Sequence, residues 1–218
     1  MGQPHWTVED YEAVCQQFYS ESTRKTARGV LDVKPEWAID RLTGRYLFDL
    51  VVKNDLHLTF EIGLAQGASA LHFCAAHKYL QSGIHIALDP FQREYFDDMG
   101  LISMERFGLG NHFQLARQRS EIALPALKQA GIMADLVFID GDHRFDAVFV
   151  DYANSNAILR EGGFMIFDEA GVDNPTAHVF SFVEKNMSNY TRVESPTRLY
   201  VLKKTGPDIR GFGHQVPF

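Results

Sequence analysis

From about residue 57 onward, hydrophobic and polar positions alternate between two spacings. Short apolar runs, four to six residues long, are separated by longer stretches in which apolar residues recur every three or four positions. The runs Leu58-Thr59-Phe60-Glu61-Ile62, Ile84-His85-Ile86-Ala87-Leu88, His112 to Ala116, Leu136-Val137-Phe138-Ile139 and Gly163-Phe164-Met165-Ile166-Phe167 predict strands. Between them, residues 68–80, 96–107, 121–130 and 145–159 predict helices. Two runs, at 136–139 and 163–167, show no alternation, which suits parallel strands buried on both faces. Residues 176–187 predict a last helix. Tyr190 to Val193 and Leu199 to Leu202 then form a strand pair with no helix between them, so one strand should run antiparallel. The pattern predicts an α/β fold, a doubly wound, mainly parallel seven-stranded sheet with one antiparallel strand near the C-terminus.

Ahead of the sheet, residues 1–56 read as helices. Val8, Tyr11, Val14, Cys15 and Phe18 share a helical spacing. Pro35 suits the first turn of a second helix carrying Trp37, Ile39 and Leu42, and Gly44 is expected to break it before Tyr46 to Val52. Domain organisation is read as one domain over 1–218, with N-terminal helices to 56, a sheet core over 57–204 and an irregular aromatic tail over 205–218. The tail is suited either to dock on a partner subunit, giving a homo-oligomer, or to stay loose.

In open α/β sheets a ligand sits beyond the carboxyl ends of the strands. Three predicted strands end in an acid, at Asp89, Asp140 and Asp168, and a fourth runs into a glycine turn, Glu61-Ile62-Gly63-Leu64-Ala65-Gln66-Gly67-Ala68-Ser69. Gly63 and Gly67 allow a tight turn and a close approach of ligand to backbone. The helix that follows offers free N–H groups, and Ser69 a hydroxyl. A dinucleotide turn would carry G-x-G-x-x-G; this one is G-x-x-x-G, which favours a ligand without a pyrophosphate. Asp89 can accept from a ribose diol, or serve as an ordinary turn residue before Pro90.

These residues resemble the first motif of class I methyltransferases that use S-adenosylmethionine. Asp89-Pro90-Phe91-Gln92 and Ile139-Asp140-Gly141-Asp142-His143 narrow the resemblance to the small-molecule O-methyltransferases of the catechol, caffeoyl-coenzyme A and macrocin type, over roughly residues 44–202. The resemblance implies a Rossmann-like core. It further implies that Gly63, Gly67 and Ser69, with Glu61 nearby, hold the methionine end of the cofactor, that Asp89 holds the ribose, and that Ser120 lies near the adenine. Asp140 would also border the cofactor. The family commonly has Gly-Asp before that serine, where this chain has Gln118-Arg119.

Asp140, Asp168 and Glu169 are hard oxygen ligands that suit Mg²⁺ or another divalent cation able to hold a hydroxyl of the acceptor; alternatively they cap the next segment or meet solvent. The resemblance places His143 where the macrocin-type enzymes carry a histidine base. Imidazole can take a proton near neutral pH, although a plain helix-start residue would look the same. The expected catalytic residues are therefore His143 and Asp140. His72, His77 and His85 read as packing or surface residues, and His112 and His178 have no evident partner. The 17 Phe, including Phe91, Phe96 and Phe145, read as core, with a substrate pocket as the other role for those three.

Composition narrows the alternatives. With 21 Lys plus Arg against 28 Asp plus Glu, the net charge is −7, which disfavours a nucleic-acid partner. No apolar run is long enough to span a bilayer and no signal peptide is visible. Two cysteines, Cys15 and Cys74, make no disulfide framework, so a cytoplasmic location is expected. The leading reading is methyl transfer to a small-molecule hydroxyl. Its rivals are a cofactor-binding relative with lost or altered chemistry, and an unrelated nucleotide enzyme such as a dehydrogenase.

Overall fold

A computed structural model describes residues 5–168 and 174–214. Its contacts fall into two compact units, residues 1–59 with 64–117, and residues 60–63 with 118–218.

In the first unit, α1 (Val8–Ser20) starts at a capping box, in which the Thr7 hydroxyl accepts from the Asp10 N–H and the Asp10 carboxylate accepts from the Thr7 N–H. A hairpin follows, β1 (Thr23–Thr26) antiparallel to β2 (Gly29–Asp32). Then come a single 3-10 turn at Pro35–Trp37 and α2 (Arg41–Lys53), whose N-cap Asp40 accepts from the Thr43 N–H. The unit continues through β3 (Leu58–Ile62), which the division crosses, then α3 (Ala68–Leu80), β4 (Ile84–Leu88), α4 (Gln92–Tyr95), α5 (Met99–Arg106) and β5 (Phe113–Ala116). The second unit holds α6 (Ser120–Gln129), β6 (Ala134–Ile139), α7 (Phe145–Ile158), β7 (Leu159–Phe167), α8 (Pro175–Asn186), β8 (Tyr190–Val193) and β9 (Tyr200–Lys204).

The seven-stranded sheet has the order β5-β4-β3-β6-β7-β9-β8. β4 pairs parallel with β5 and β6 with β7, while β9 runs antiparallel to both β7 and β8. This is the predicted doubly wound, mainly parallel sheet with one reversed strand. The apolar run of β6 is buried from Leu136 to Ile139, as a central strand requires.

The N-terminal segment departs from the expected helices. The hairpin takes residues 23–32, and Pro35 opens only one turn. Gly44 does not break a helix but lies inside α2, buried against α3. A Cβ there would run into the His72 ring, so glycine is kept for close approach rather than for a turn. His72 is fully buried on α3, and burial pushes its pKa down to about 3. Its neutral ring is held by two tyrosines of α1, with Tyr11 Oη 2.8 Å from Nδ1 and Tyr19 Oη 3.0 Å from Nε2. Tyr19 donates its one proton to the Ile39 carbonyl. It must therefore accept from Nε2–H, which leaves Nδ1 to accept from Tyr11. His77 and His85 are also buried, both against the Thr59 hydroxyl at 2.8 and 2.9 Å. His112 finds the Gly83 carbonyl at 2.9 Å. Cys15 and Cys74 are buried and form no disulfide with each other.

Phe91 and Phe145 correct the expected core. They are 38% and 44% exposed, Phe91 just ahead of α4 and Phe145 at the start of α7. Among the described residues no helix is long and apolar enough to cross a membrane.

Candidate active site

The glycine turn follows β3 because Gly63 and Gly67 both take positive φ, at +88° and +84°, with Ala65 between them also left-handed at +44°. In the first unit, Gly67 packs against the Gly100 backbone, where a Cβ would stand 3.1 Å from the Gly100 Cα. α3 starts at Gly67 with no side chain capping it, so its first-turn N–H groups suit a carboxylate. Ser69 is in that turn and buried.

Asp89 has a role that sequence reasoning missed. Its Oδ2 accepts from the Leu64 N–H at 3.1 Å, the Ala65 N–H at 3.3 Å and the Gln92 side-chain amide at 2.8 Å. Its Oδ1 accepts from the Phe91 N–H at 2.8 Å. The carboxylate thus pins the glycine turn in its left-handed course, and a ribose would have Oδ1 to address. Gln92 also donates to the Ala65 carbonyl at 2.8 Å. Arg24 of the hairpin, fully buried, donates to the Gln66 carbonyl at 3.2 Å and to the Ser103 hydroxyl at 2.6 Å. Gln92 could have been found from its place in Asp89-Pro90-Phe91-Gln92. No local signal marks Arg24.

The second unit gathers the carboxylates. The Asp140 N–H donates to the Ile62 carbonyl at 3.0 Å, and the Asp168 N–H to the Ile139 carbonyl at 3.1 Å, so each acid sits just past its strand. Gly63 is needed here for a second reason, because a Cβ would overlap the Asp140 carbonyl oxygen and come within 2.9 Å of the Gly141 Cα. Glu61 is fully buried. Desolvation, then the charges of Asp168 and Glu61, push the Asp140 carboxyl well up, and Arg198 opposes them. His143 Nε2 lies 3.6 Å from Asp140 Oδ1, with the imidazole 44% exposed. Asp142 is turned to the Arg144 guanidinium instead, at 2.6 Å.

Two of the three expected metal ligands, Asp140 and Asp168, are among the described residues. Asp168, 3% exposed, already meets a cation. Arg198 spans both its oxygens, Nε to Oδ1 at 3.0 Å and Nη2 to Oδ2 at 2.6 Å. Glu169 lies outside the described residues. Among those described, no group of three or more His, Cys, Asp or Glu is arranged to hold a metal ion.

Ser120 opens α6, as a residue near a ligand would, but its hydroxyl donates to Asp151 Oδ1 at 2.5 Å. Asp151 is buried, and desolvation pushes its carboxyl up to about 6, against the Ser120 hydrogen bond. A raised acid holds its proton in the native state between about pH 4 and 6, where the unfolded chain has released it. Stability therefore falls as pH rises through that window, and the penalty persists above it. Asp151→Asn keeps the acceptor for Ser120 and removes the charge. From urea denaturation at pH 4 and 7, wild type should lose about 2–3 kcal/mol more than the variant. Parallel losses in the two proteins would show that Asp151 is not the group responsible.

Comparison with known proteins agrees with this fold. Residues 60–170 match the family model described as a methyltransferase domain. No curated protein matches the sequence. Among solved structures, the chain is similar to the O-methyltransferase TomG of Streptomyces achromogenes, involved in tomaymycin synthesis and in complex with S-adenosylmethionine. The identity is 16%, 94% of this chain and 92% of that one are covered, and the TM-score is 0.66. An O-methyltransferase from Bacillus cereus, in complex with S-adenosylhomocysteine, is 19% identical over 90% of this chain and 91% of its own, with a TM-score of 0.58. The S-adenosylhomocysteine-bound methyltransferase PaMTH1 of Podospora anserina is 15% identical over 94% and 90%, with a TM-score of 0.63. The family match covers half the chain and includes both the glycine turn and the Asp140 strand end; the chain belongs to the methyltransferase-domain family.

Proposed function

We propose that this chain transfers the methyl group of S-adenosylmethionine to a hydroxyl oxygen of a small molecule, with His143 as base. The observation that carries the reading is the Asp140–His143 pair, a half-exposed imidazole 3.6 Å from a carboxylate just past a sheet strand. Gly63, Gly67 and Ser69 hold the methionine end of the cofactor, with Glu61 and Asp140 beside it, and Asp89 serves the ribose through Oδ1. Ser120 remains the candidate nearest the adenine. When bound, the cofactor supplies the methyl group, its sulfur keeping the bonding pair. The chain does the rest. His143 takes the hydroxyl proton as the oxygen lone pair forms the new bond, and Asp140 faces the imidazolium that results. An acceptor other than nucleic acid fits the net charge of −7. A cytoplasmic, single-domain enzyme, as monomer or homo-oligomer, belongs to the same reading.

The test is transfer from labelled S-adenosylmethionine to a panel of hydroxyl compounds, alongside calorimetry with S-adenosylhomocysteine and NAD. Label appearing as a methyl ether, with binding of S-adenosylhomocysteine and none of NAD, is the expected result. Cofactor binding without transfer to any hydroxyl would favour a relative with altered chemistry. Binding of NAD alone would overturn the assignment.

A further inference from the structure

The cation at the end of β7 is an arginine of this chain. Asp168 is almost wholly buried, and a buried carboxylate requires a positive partner. Arg198 meets that need with a two-point fork, at 3.0 and 2.6 Å, from the segment leading into β9. The reversed strand is what brings it there, since Phe167 pairs with Tyr200 across β7 and β9. The fork fixes the plane of the guanidinium, yet the side chain stays 45% exposed. A divalent ion on Asp168 would have to displace or crowd a fixed positive charge, whereas a hydroxyl oxygen losing its proton would be attracted to it.

We propose that Arg198, held in place by Asp168, is the residue that receives the acceptor oxygen, so that methyl transfer by this enzyme needs no metal ion. This rests on the function proposed above and adds to it the acceptor's chemistry. The favoured substrate is an acidic hydroxyl, a phenol or enol, whose conjugate base pairs with a guanidinium. Arg198 transfers no proton itself; the proton goes to His143, and the arginine carries the developing negative charge until the carbon–oxygen bond forms.

The experiment compares wild type with Arg198→Met and Arg198→Lys. Turnover is measured with and without EDTA, Mn²⁺ association by electron paramagnetic resonance, and S-adenosylhomocysteine affinity by calorimetry. Wild type should keep its rate in EDTA and show no saturable Mn²⁺ binding. Removing a preorganised donor should lower kcat in Arg198→Met by about 10²–10³-fold. The fall should be steeper for less acidic phenols, and cofactor affinity should be unchanged, a pattern that loss of structure alone would not produce. If Arg198→Met does not fold, Arg198→Lys, which keeps the charge and loses the fork, should show a smaller fall with the same dependence on phenol acidity. Stoichiometric Mn²⁺ binding to wild type, or EDTA inactivation reversed by Mg²⁺, would overturn the proposal; so would wild-type kcat in Arg198→Met. The Mn²⁺ measurement decides even before an acceptor is found. Failure of the methyltransferase reading would show separately, as absence of S-adenosylhomocysteine binding.

Discussion

In a His143→Ala variant, turnover should fall about 10²–10⁴-fold, the range for loss of a general base. The reason is positional. His143 lies in the turn before α7, three residues past Asp140, with its ring close to that carboxylate and 44% open to solvent. Half-exposed side chains outside the core contribute little to folding, so the variant should denature within about 0.5 kcal/mol of wild type. Cofactor affinity should also hold, because the glycine turn and Asp89 are untouched. The acceptor gives a sharper check. Without the base, the residual rate should follow the acidity of the acceptor hydroxyl itself. Wild-type turnover in the alanine variant would remove His143 from the mechanism and leave the acceptor's own acidity to account for proton loss.

Gly63→Ala should be a folding mutation before it is a binding one. A methyl group there would overlap the Asp140 carbonyl oxygen and press on Gly141, and both contacts are backbone, with no side chain able to swing away. The φ of +88° adds left-handed strain of about 1–2 kcal/mol for any residue with a Cβ. Forcing the strand ends apart adds about 1–3 kcal/mol. A loss of about 2–5 kcal/mol is a large part of a typical domain's stability, and urea denaturation would register it as a lower midpoint. Loss of cofactor binding in this variant would therefore say little about ligand contact at Gly63. A variant within about 1 kcal/mol of wild type would mean that the backbone relaxes, making the glycine a clean probe of the binding turn after all.

The sheet was legible because its information is local. An unalternating run such as Leu136 to Ile139 has few options besides a buried strand, and an acid closing such a run falls where ligands bind. The N-terminal segment was not legible, because there the deciding contacts are distant in sequence. Gly44 looks like a helix breaker until His72, on another helix, is seen to occupy the space a Cβ would need. Asp89 was found but only half understood: an acid before Pro90 announces a turn, while its bonds to the Leu64 and Ala65 N–H groups depend on how β3 and β4 are placed. Arg198 carried no motif at all. Its meaning comes from strand reversal, which sets a residue 30 positions on against Asp168. The metal expectation followed from residue type and placement at strand ends, neither of which reveals that Asp168 also meets Arg198.

The imidazole of His72 bears on how much of the chain a laboratory could cut away. The family match begins at residue 60, which invites treating everything earlier as a detachable appendage. Yet α1 supplies both phenols that satisfy this ring, and α2 supplies the glycine that makes room for it. A fragment trimmed to the matched stretch would carry on α3, the helix that opens at the glycine turn, a histidine stripped of both phenols and of the helices packed against it. The recognisable segment is thus shorter than the cooperative one, and swaps between relatives would do best to move α1, α2 and α3 as a single cassette.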